Sequence, residues 1–366
     1  MCKLRRNVFA AQAMFTKVLH NVWFARSSPY MDKPLQQTDE GSDGTPLLFG
    51  RVLDGRGGGR SISWDEVQNW QPTSPDEVMW VHLCRTCPGV QQWLEQGLGI
   101  SEPTAELLVS DQTRPRAFRE GGSLVATLRG INFNPGAEPE DMVSMQLWCD
   151  GQRLVTLRRH PLQTPREIVA LIDRGEGPGD AGATITLLAE FMIARMNQSI
   201  VDMNEHIDLI EDMDIETDHD QILAKITTIR RNCLSLKRHM APQHEALERI
   251  SRDAPEWFEE HDRREIAESI ARLRRFLDDI DISKESAVVL QDELRARSLA
   301  SNEHATYMLT IVAGIFLPLG FLTGLLGINV GGLPGLDDPR AFWLVVALCG
   351  GIMATQLFLF WKWKWL

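Results

Sequence analysis

The chain has 366 residues, 43% of them hydrophobic and 24% charged, with a formal net charge of −12 and a mean hydropathy of −0.18. That average excludes a conventional polytopic transporter with most of its residues in the bilayer, and the acidic balance excludes a nucleic-acid binder, because phosphate recognition needs a basic patch. It also conceals an asymmetry: Asp, Glu, Lys and Arg are spread over residues 1–303, then absent from Ala305 to Asn329 and again from Ala341 to Trp361.

Residues 1–46 read as an extension and linker. Lys3, Arg5, Arg6, Lys17 and Arg26 are unaccompanied by any acid in residues 1–30. Gln12, Lys17, His20 and Asn21 break up the apolar run that a signal peptide requires. A poorly ordered extension outside the core fold is expected, followed by a linker over 36–45.

Residues 47–182 read as a cytoplasmic α/β domain. Val78–Leu83, Leu124–Ile131 and Val143–Trp148 are expected strands. Asp150-Gly151 between Val143–Cys149 and Arg153–Leu157 predicts a hairpin, because the glycine supplies the positive φ of a tight turn. Helices are expected over Pro88–Leu98, Glu102–Ser110 and Pro165–Arg174, and the Gly175–Asp180 breaker closes the domain. The cysteines Cys2, Cys84, Cys87, Cys149, Cys233 and Cys349 form no disulfide framework, which fits a reducing cytoplasm. Cys84 and Cys87 with His82 have half the spacing of a structural zinc site; ordinary thiols are the alternative.

Residues 183–304 read as long cytoplasmic helices. Between Gly182 and Gly314 there is no glycine, and the only prolines are Pro242 and Pro255. That predicts helices over Thr184–Asp214, over Gln221–Ser251, and from Pro255 onward. In the third, Ile266, Ile270, Leu273, Leu277 and Ile280 form a bundle seam. Nothing breaks this helix before the membrane, so a stalk of about 100 Å is expected to enter it directly. The acidic stretch from Asp202 to Asp220, which includes His206 and His219, either attracts divalent ions or is a solvated face.

Residues 305–326 and 341–361 are expected transmembrane helices, each long enough to cross a hydrocarbon core. Arg295 and Arg297 precede the first, and Lys362 and Lys364 in the tail 362–366 follow the second. By the positive-inside rule both ends are cytoplasmic and the loop 327–340 faces out. Trp343, Trp361, Trp363 and Trp365 read as interfacial anchors in the lipid bilayer. Thr306, Thr310, Ala313, Leu317, Gly320 and Gly324 share one small or weakly polar face of the first span. That face either packs against another helix or lines a pore, which two spans per chain enclose only in an oligomer. Glu303 and His304 sit at the membrane entrance, where imidazole has the chemistry to bind zinc or carry a proton. Asp337 and Asp338 either concentrate cations at the outer side or cap the second span.

After the first span, Gly327-Ile328-Asn329 closes the helix, between Phe321-Leu-Thr-Gly-Leu-Leu326 and Val330-Gly-Gly-Leu-Pro-Gly335. This resembles the CorA superfamily of divalent-cation transporters, whose mouth motif is Gly-Met-Asn. The Ile variant, with its trailing Val-Gly-Gly-Leu-Pro-Gly, is similar to the ZntB zinc transporter branch. Leu53-Asp-Gly-Arg-Gly-Gly58, Thr113-Arg-Pro-Arg116, Gly175-Glu-Gly-Pro178, Met240-Ala-Pro-Gln243 and the terminal Lys364-Trp-Leu366 also match. The likeness spans residues 47–366 in order.

The resemblance implies a CorA-like homopentameric funnel: an α+β cytoplasmic domain, long α-helices and two C-terminal transmembrane helices, with the first span lining the pore. It places Gly327, Ile328 and Asn329 at the outer mouth, with the Asn329 carbonyl holding an ion through its water shell. It implies transported Zn2+ with no prosthetic group, and proton-coupled zinc uptake across the cell inner membrane. Zinc efflux and a magnesium, cobalt or nickel channel are the transport alternatives. No phosphate loop, complete metal triad or nucleophile motif points to an enzyme. A membrane-anchored sensor or scaffold is the rival class.

Overall fold

The computed structural model describes residues 45–138, 140–211, 219–327 and 340–363. In chain order the elements are β1 (Leu47–Leu53), β2 (Gly59–Ser61), α1 (Trp64–Gln68), β3 (Val78–Cys84), α2 (Val90–Gln96), α3 (Glu102–Val109), β4 (Arg116–Glu120), β5 (Ser123–Gly130), β6 (Val143–Cys149), β7 (Arg153–Arg158), α4 (Gln163–Asp173), α5 (Ala181–Glu211), α6 (His219–Asp253), α7 (Glu260–Leu326) and α8 (Ala341–Lys362). They divide into two units. One takes the described residues up to Asp208 together with Thr228–Lys284, and the other takes the described parts of Leu209–Thr227 and Glu285–Leu366.

The first unit is built on a seven-stranded sheet ordered β2-β1-β3-β7-β6-β5-β4. Only β3 and β7 pair in parallel, with Val81 opposite Val155. One face of the sheet presents Met79, Val81, Leu83, Val125, Trp148, Val155 and Leu157, which pack with Val67, Val90, Leu94, Ala105 and Leu108 of α1–α3. Each such apolar side chain, once fully buried, contributes about 1.5–3 kcal/mol of driving force. The expected Asp150-Gly151 hairpin joins β6 to β7, with Gly151 at φ 101° and the Asp150 carboxylate accepting from the Gln152 and Arg153 amides.

Two glycine-rich segments far apart in sequence form one joint. Asp54 Oδ1 accepts from the amides of Arg56 and Gly58, which folds the β1–β2 turn. The Gly177 amide then donates to the Gly57 carbonyl at 2.7 Å. A Cβ at Gly57, whose φ is 94°, would lie 2.8 Å from the Gly175 carbonyl oxygen, so neither backbone space nor backbone conformation admits another residue there.

The three expected long helices are present as α5, α6 and α7, of 31, 35 and 67 residues. The α7 seam holds with one adjustment: Ile266, Leu273, Leu277 and Ile280 are buried, whereas Ile270 is half-buried beside the buried Ser269. Polar ties join the helices within this unit, from Lys237 Nζ to Asp281 (2.6 Å) and from Ser283 Oγ to Asn204 Oδ1 (2.5 Å). As expected, α7 continues without interruption to Leu326, and Gly327 ends it by donating its amide to the Thr323 carbonyl.

Candidate functional site

The last turns of α7 and the whole of α8 are long and apolar enough to cross a membrane. Only 6% and 0% of the residues in their most apolar windows are buried within the chain, unlike the core helix of a water-soluble domain. On α7, Ile311 is buried and Gly314, Ile315, Leu319 and Leu322 are half-buried. On α8, Val345, Cys349, Ile352, Gln356 and Leu359 recur as half-buried positions at the same 3-and-4 spacing. Gln356 Nε2 donates to the Gly314 carbonyl at 3.1 Å, and a Cβ on Gly314 would sit 3.2 Å from the Phe360 ring. These residues mark the face that each helix turns to the other.

The small-residue stripe lies elsewhere. Thr306, Thr310, Ala313, Leu317, Gly320 and Gly324 are all exposed, and Leu317 keeps 71% of its surface. A Cβ on Gly320 or Gly324 would meet nothing within 4 Å. Among the described residues, the smallness of Gly320 and Gly324 therefore serves no contact. Thr310 Oγ1 donates to the Thr306 carbonyl at 2.8 Å. The hydroxyl proton is thus spent on the helix, and the oxygen lone pairs remain as acceptors. Glu303 and His304 are exposed on α7. Gly327 is the C-terminal stop of α7; Ile328, Asn329, Asp337 and Asp338 lie outside the described residues, as does most of the acidic stretch's end, 212–218.

Sequence reasoning did not anticipate Arg129, which gathers two of the upstream motifs. Its Nε donates to the Thr113 carbonyl (2.9 Å), one Nη to the Met142 carbonyl (2.9 Å) and the other to Thr113 Oγ1. Its backbone amide donates to Gln243 Oε1 at 2.6 Å, and His239 Nε2 lies 3.3 Å from the guanidinium. Burial, and then the charges of Arg129 and Arg238, lower the His239 pKa to about 4, so its ring is neutral at pH 7. Thr113–Arg116 and Met240–Gln243 are thus a structural joint between the β5 strand and α6.

The Cys84, Cys87 and His82 group is not assembled into a metal centre. His82 is buried, its Nδ1 2.8 Å from Thr156 Oγ1 and its ring stacked on Phe49. Burial, then Arg158, hold its pKa well below the ordinary value, so the ring is uncharged. Burial raises the Cys84 pKa, but hydrogen bonds with Cys87 and Thr86 outweigh it and lower the thiol below its ordinary value. Among the described residues, no three His, Cys, Asp or Glu side chains converge on a point where an ion would fit.

The family model for CorA-like Mg2+ transporter protein matches residues 75–362. The chain is 37% identical over 335 residues to the divalent cation transporter CmaX of Pseudomonas aeruginosa, covering 90% of this chain and 100% of that protein. It is 33% identical over 304 residues to the zinc transport protein ZntB of Pectobacterium atrosepticum, covering 82% and 91%. The solved structure of full-length CmaX superposes with a TM-score of 0.78 at 36% identity, over 89% of this chain and all of that one.

Proposed function

The chain belongs to the CorA-like Mg2+ transporter protein family, within which it falls with ZntB and CmaX, and from that membership we propose that it carries zinc across a membrane through a pore shared by several copies. Its family is one of transporters, and its two apolar helices make it a membrane protein. The observation that carries the pore reading is the direction of the Thr306–Gly324 stripe. It is exposed rather than turned to α8, and among the described residues nothing lies close enough to Gly320 or Gly324 to require a glycine there. Close approach of the same stripe from other copies gives those positions a use. With five copies, as in the homopentamer implied by the resemblance, the stripes enclose a path lined by hydroxyls and helix backbone, where a hydrated cation is held without a buried countercharge.

In this reading Gly327, Ile328 and Asn329 form the outer mouth, and five Asn329 carbonyls face the incoming ion. Asp337 and Asp338 concentrate cations at the outer side, and Glu303 and His304 receive them at the inner end. Both termini are cytoplasmic, and uptake runs with protons across the inner membrane. A second reading, a less selective divalent-cation transporter, is favoured by the higher identity to CmaX.

The test is zinc uptake by the purified chain in liposomes. Gly320→Leu on the stripe is expected to lower uptake about tenfold by narrowing the path, whereas Phe316→Leu off the stripe keeps it. Asn329→Ala is expected to reduce uptake with assembly intact. Wild-type uptake in Gly320→Leu and Asn329→Ala would remove the stripe and the mouth from the ion path, and no uptake by the wild-type chain would leave an anchored sensor or scaffold.

A further inference from the structure

The second membrane helix carries one amide side chain, Gln356, in a segment that is otherwise apolar or small. An amide in a hydrocarbon environment costs free energy unless it is hydrogen-bonded. Leucine at this position would suit the bilayer better, so the residue calls for a specific explanation.

Its partner supplies one. α7 contains Pro318 in the middle of its apolar part. Proline has no N–H, so the carbonyl four residues earlier loses its helical donor. That carbonyl belongs to Gly314, and it is the group that receives Gln356 Nε2 at 3.1 Å. Gly314 fits the arrangement, because a side chain there would press on the Phe360 ring one turn beyond Gln356. Gln356 Oε1 is buried with no partner among the described residues, so the side chain is oriented through its donor alone. Thr310, Thr323 and Thr355 each return their hydroxyl to a carbonyl of their own helix. Among the described hydrogen bonds of this hairpin, only Gln356 reaches from one helix to the other.

We propose that Gln356 is a positioning residue for the first span: its amide replaces the backbone hydrogen bond that Pro318 removes from Gly314, and so fixes the α7 helix to α8 at the proline. Leu317 and Gly320 flank Pro318 on the exposed stripe, so the brace sets where the part of the stripe beyond the proline points. Its functional consequence rests on the transport reading above; the brace itself does not.

The experiment is a double-substitution cycle on the full chain: wild type, Gln356→Met, Pro318→Ala and the pair. Methionine keeps the length of the side chain and removes the donor. Alanine at 318 restores the N–H, so Gly314 regains an intrahelical partner and Gln356 becomes dispensable. Two readouts are taken: the thermal midpoint of the detergent-solubilised protein, and zinc uptake in liposomes per folded protein. Gln356→Met alone is expected to lower the midpoint and to lower maximal uptake about fivefold or more, with the half-saturating zinc concentration unchanged. In the Pro318→Ala background the same substitution is expected to change uptake by less than about twofold and leave the midpoint in place. Penalties that simply add across the two backgrounds overturn the proposal, and so does a destabilised Gln356→Met protein with wild-type uptake. If the wild type moves no zinc, the transport reading fails, and the midpoint cycle decides the brace, coupling supporting it and additivity overturning it.

Discussion

Gln243 illustrates what a single residue holds together. Gln243 is fully buried, and its Oε1 accepts the amide of the half-buried Arg129 at 2.6 Å. Gln243→Leu strands that amide without a partner and is expected to cost about 1–3 kcal/mol, read as a lower midpoint in denaturant unfolding of the purified chain; an unchanged midpoint would mean that another group takes over the amide. The sequence displays Met240-Ala-Pro-Gln243 as a family motif but gives no sign that Gln243 serves Arg129, because the partners are 114 positions apart. Gln356 was equally silent. Its meaning depends on Pro318 in a different helix, and no periodicity within either helix contains that pairing. By contrast, Gly151 was legible, since Asp-Gly between two apolar runs encodes its own turn.

At the scale of elements, the long helices were legible from the glycine-free stretch between Gly182 and Gly314, whose two prolines are Pro255, between α6 and α7, and Pro242, which α6 accommodates in its interior. β1, β2, β4 and α1 were not anticipated. β4 is an edge strand of sequence Arg-Ala-Phe-Arg-Glu, and a half-solvated edge tolerates charges that mask alternation. β1 carries Gly50, which lies so close to Ile62 that a Cβ would sit 2.8 Å from its side chain; a glycine required by packing reads as a breaker in sequence. The start of α7 gives a pH prediction. Asp262 is fully buried, accepts the Glu259 amide at 3.0 Å and lies against Gly182, with His261 Nε2 3.1 Å from its other oxygen. Burial chiefly, with Asp180 and Glu265, raises its pKa from 3.8 to about 6 against the opposing effects of the Glu259 amide and His261. A carboxyl whose pKa is raised in the folded chain binds its proton more tightly there than when unfolded. Its contribution is therefore favourable below about pH 4, declines as pH rises through 4 to 6, and is lost above about 6. Asp262→Asn is expected to stabilise the chain at pH 7.5 by on the order of 2 kcal/mol and to flatten that part of the pH profile; a variant with the wild-type profile would remove Asp262 as its source.

For the whole molecule, the average composition is that of a soluble acidic protein, yet its two uncharged stretches hold the two helices that are apolar enough to cross a membrane. Two membrane helices per chain suffice for the proposed transport when copies share one path, and the Thr306–Gly324 stripe is exposed, as that proposal requires. The acidic residues before the first uncharged stretch give that part of the chain a potential that favours cations over anions. Family membership was legible from Gly327-Ile328-Asn329 and its flanks, because the motif sits after an uncharged span and before a second one. The pairing of α7 with α8 was not, since the stripe's spacing is compatible with either a packing face or a pore wall. The most direct test is zinc against magnesium uptake in proteoliposomes under imposed pH gradients of both signs. Zinc uptake faster than magnesium uptake, accelerated when the proton gradient points inward, is the expected result; no zinc flux under either gradient would contradict transport by this chain.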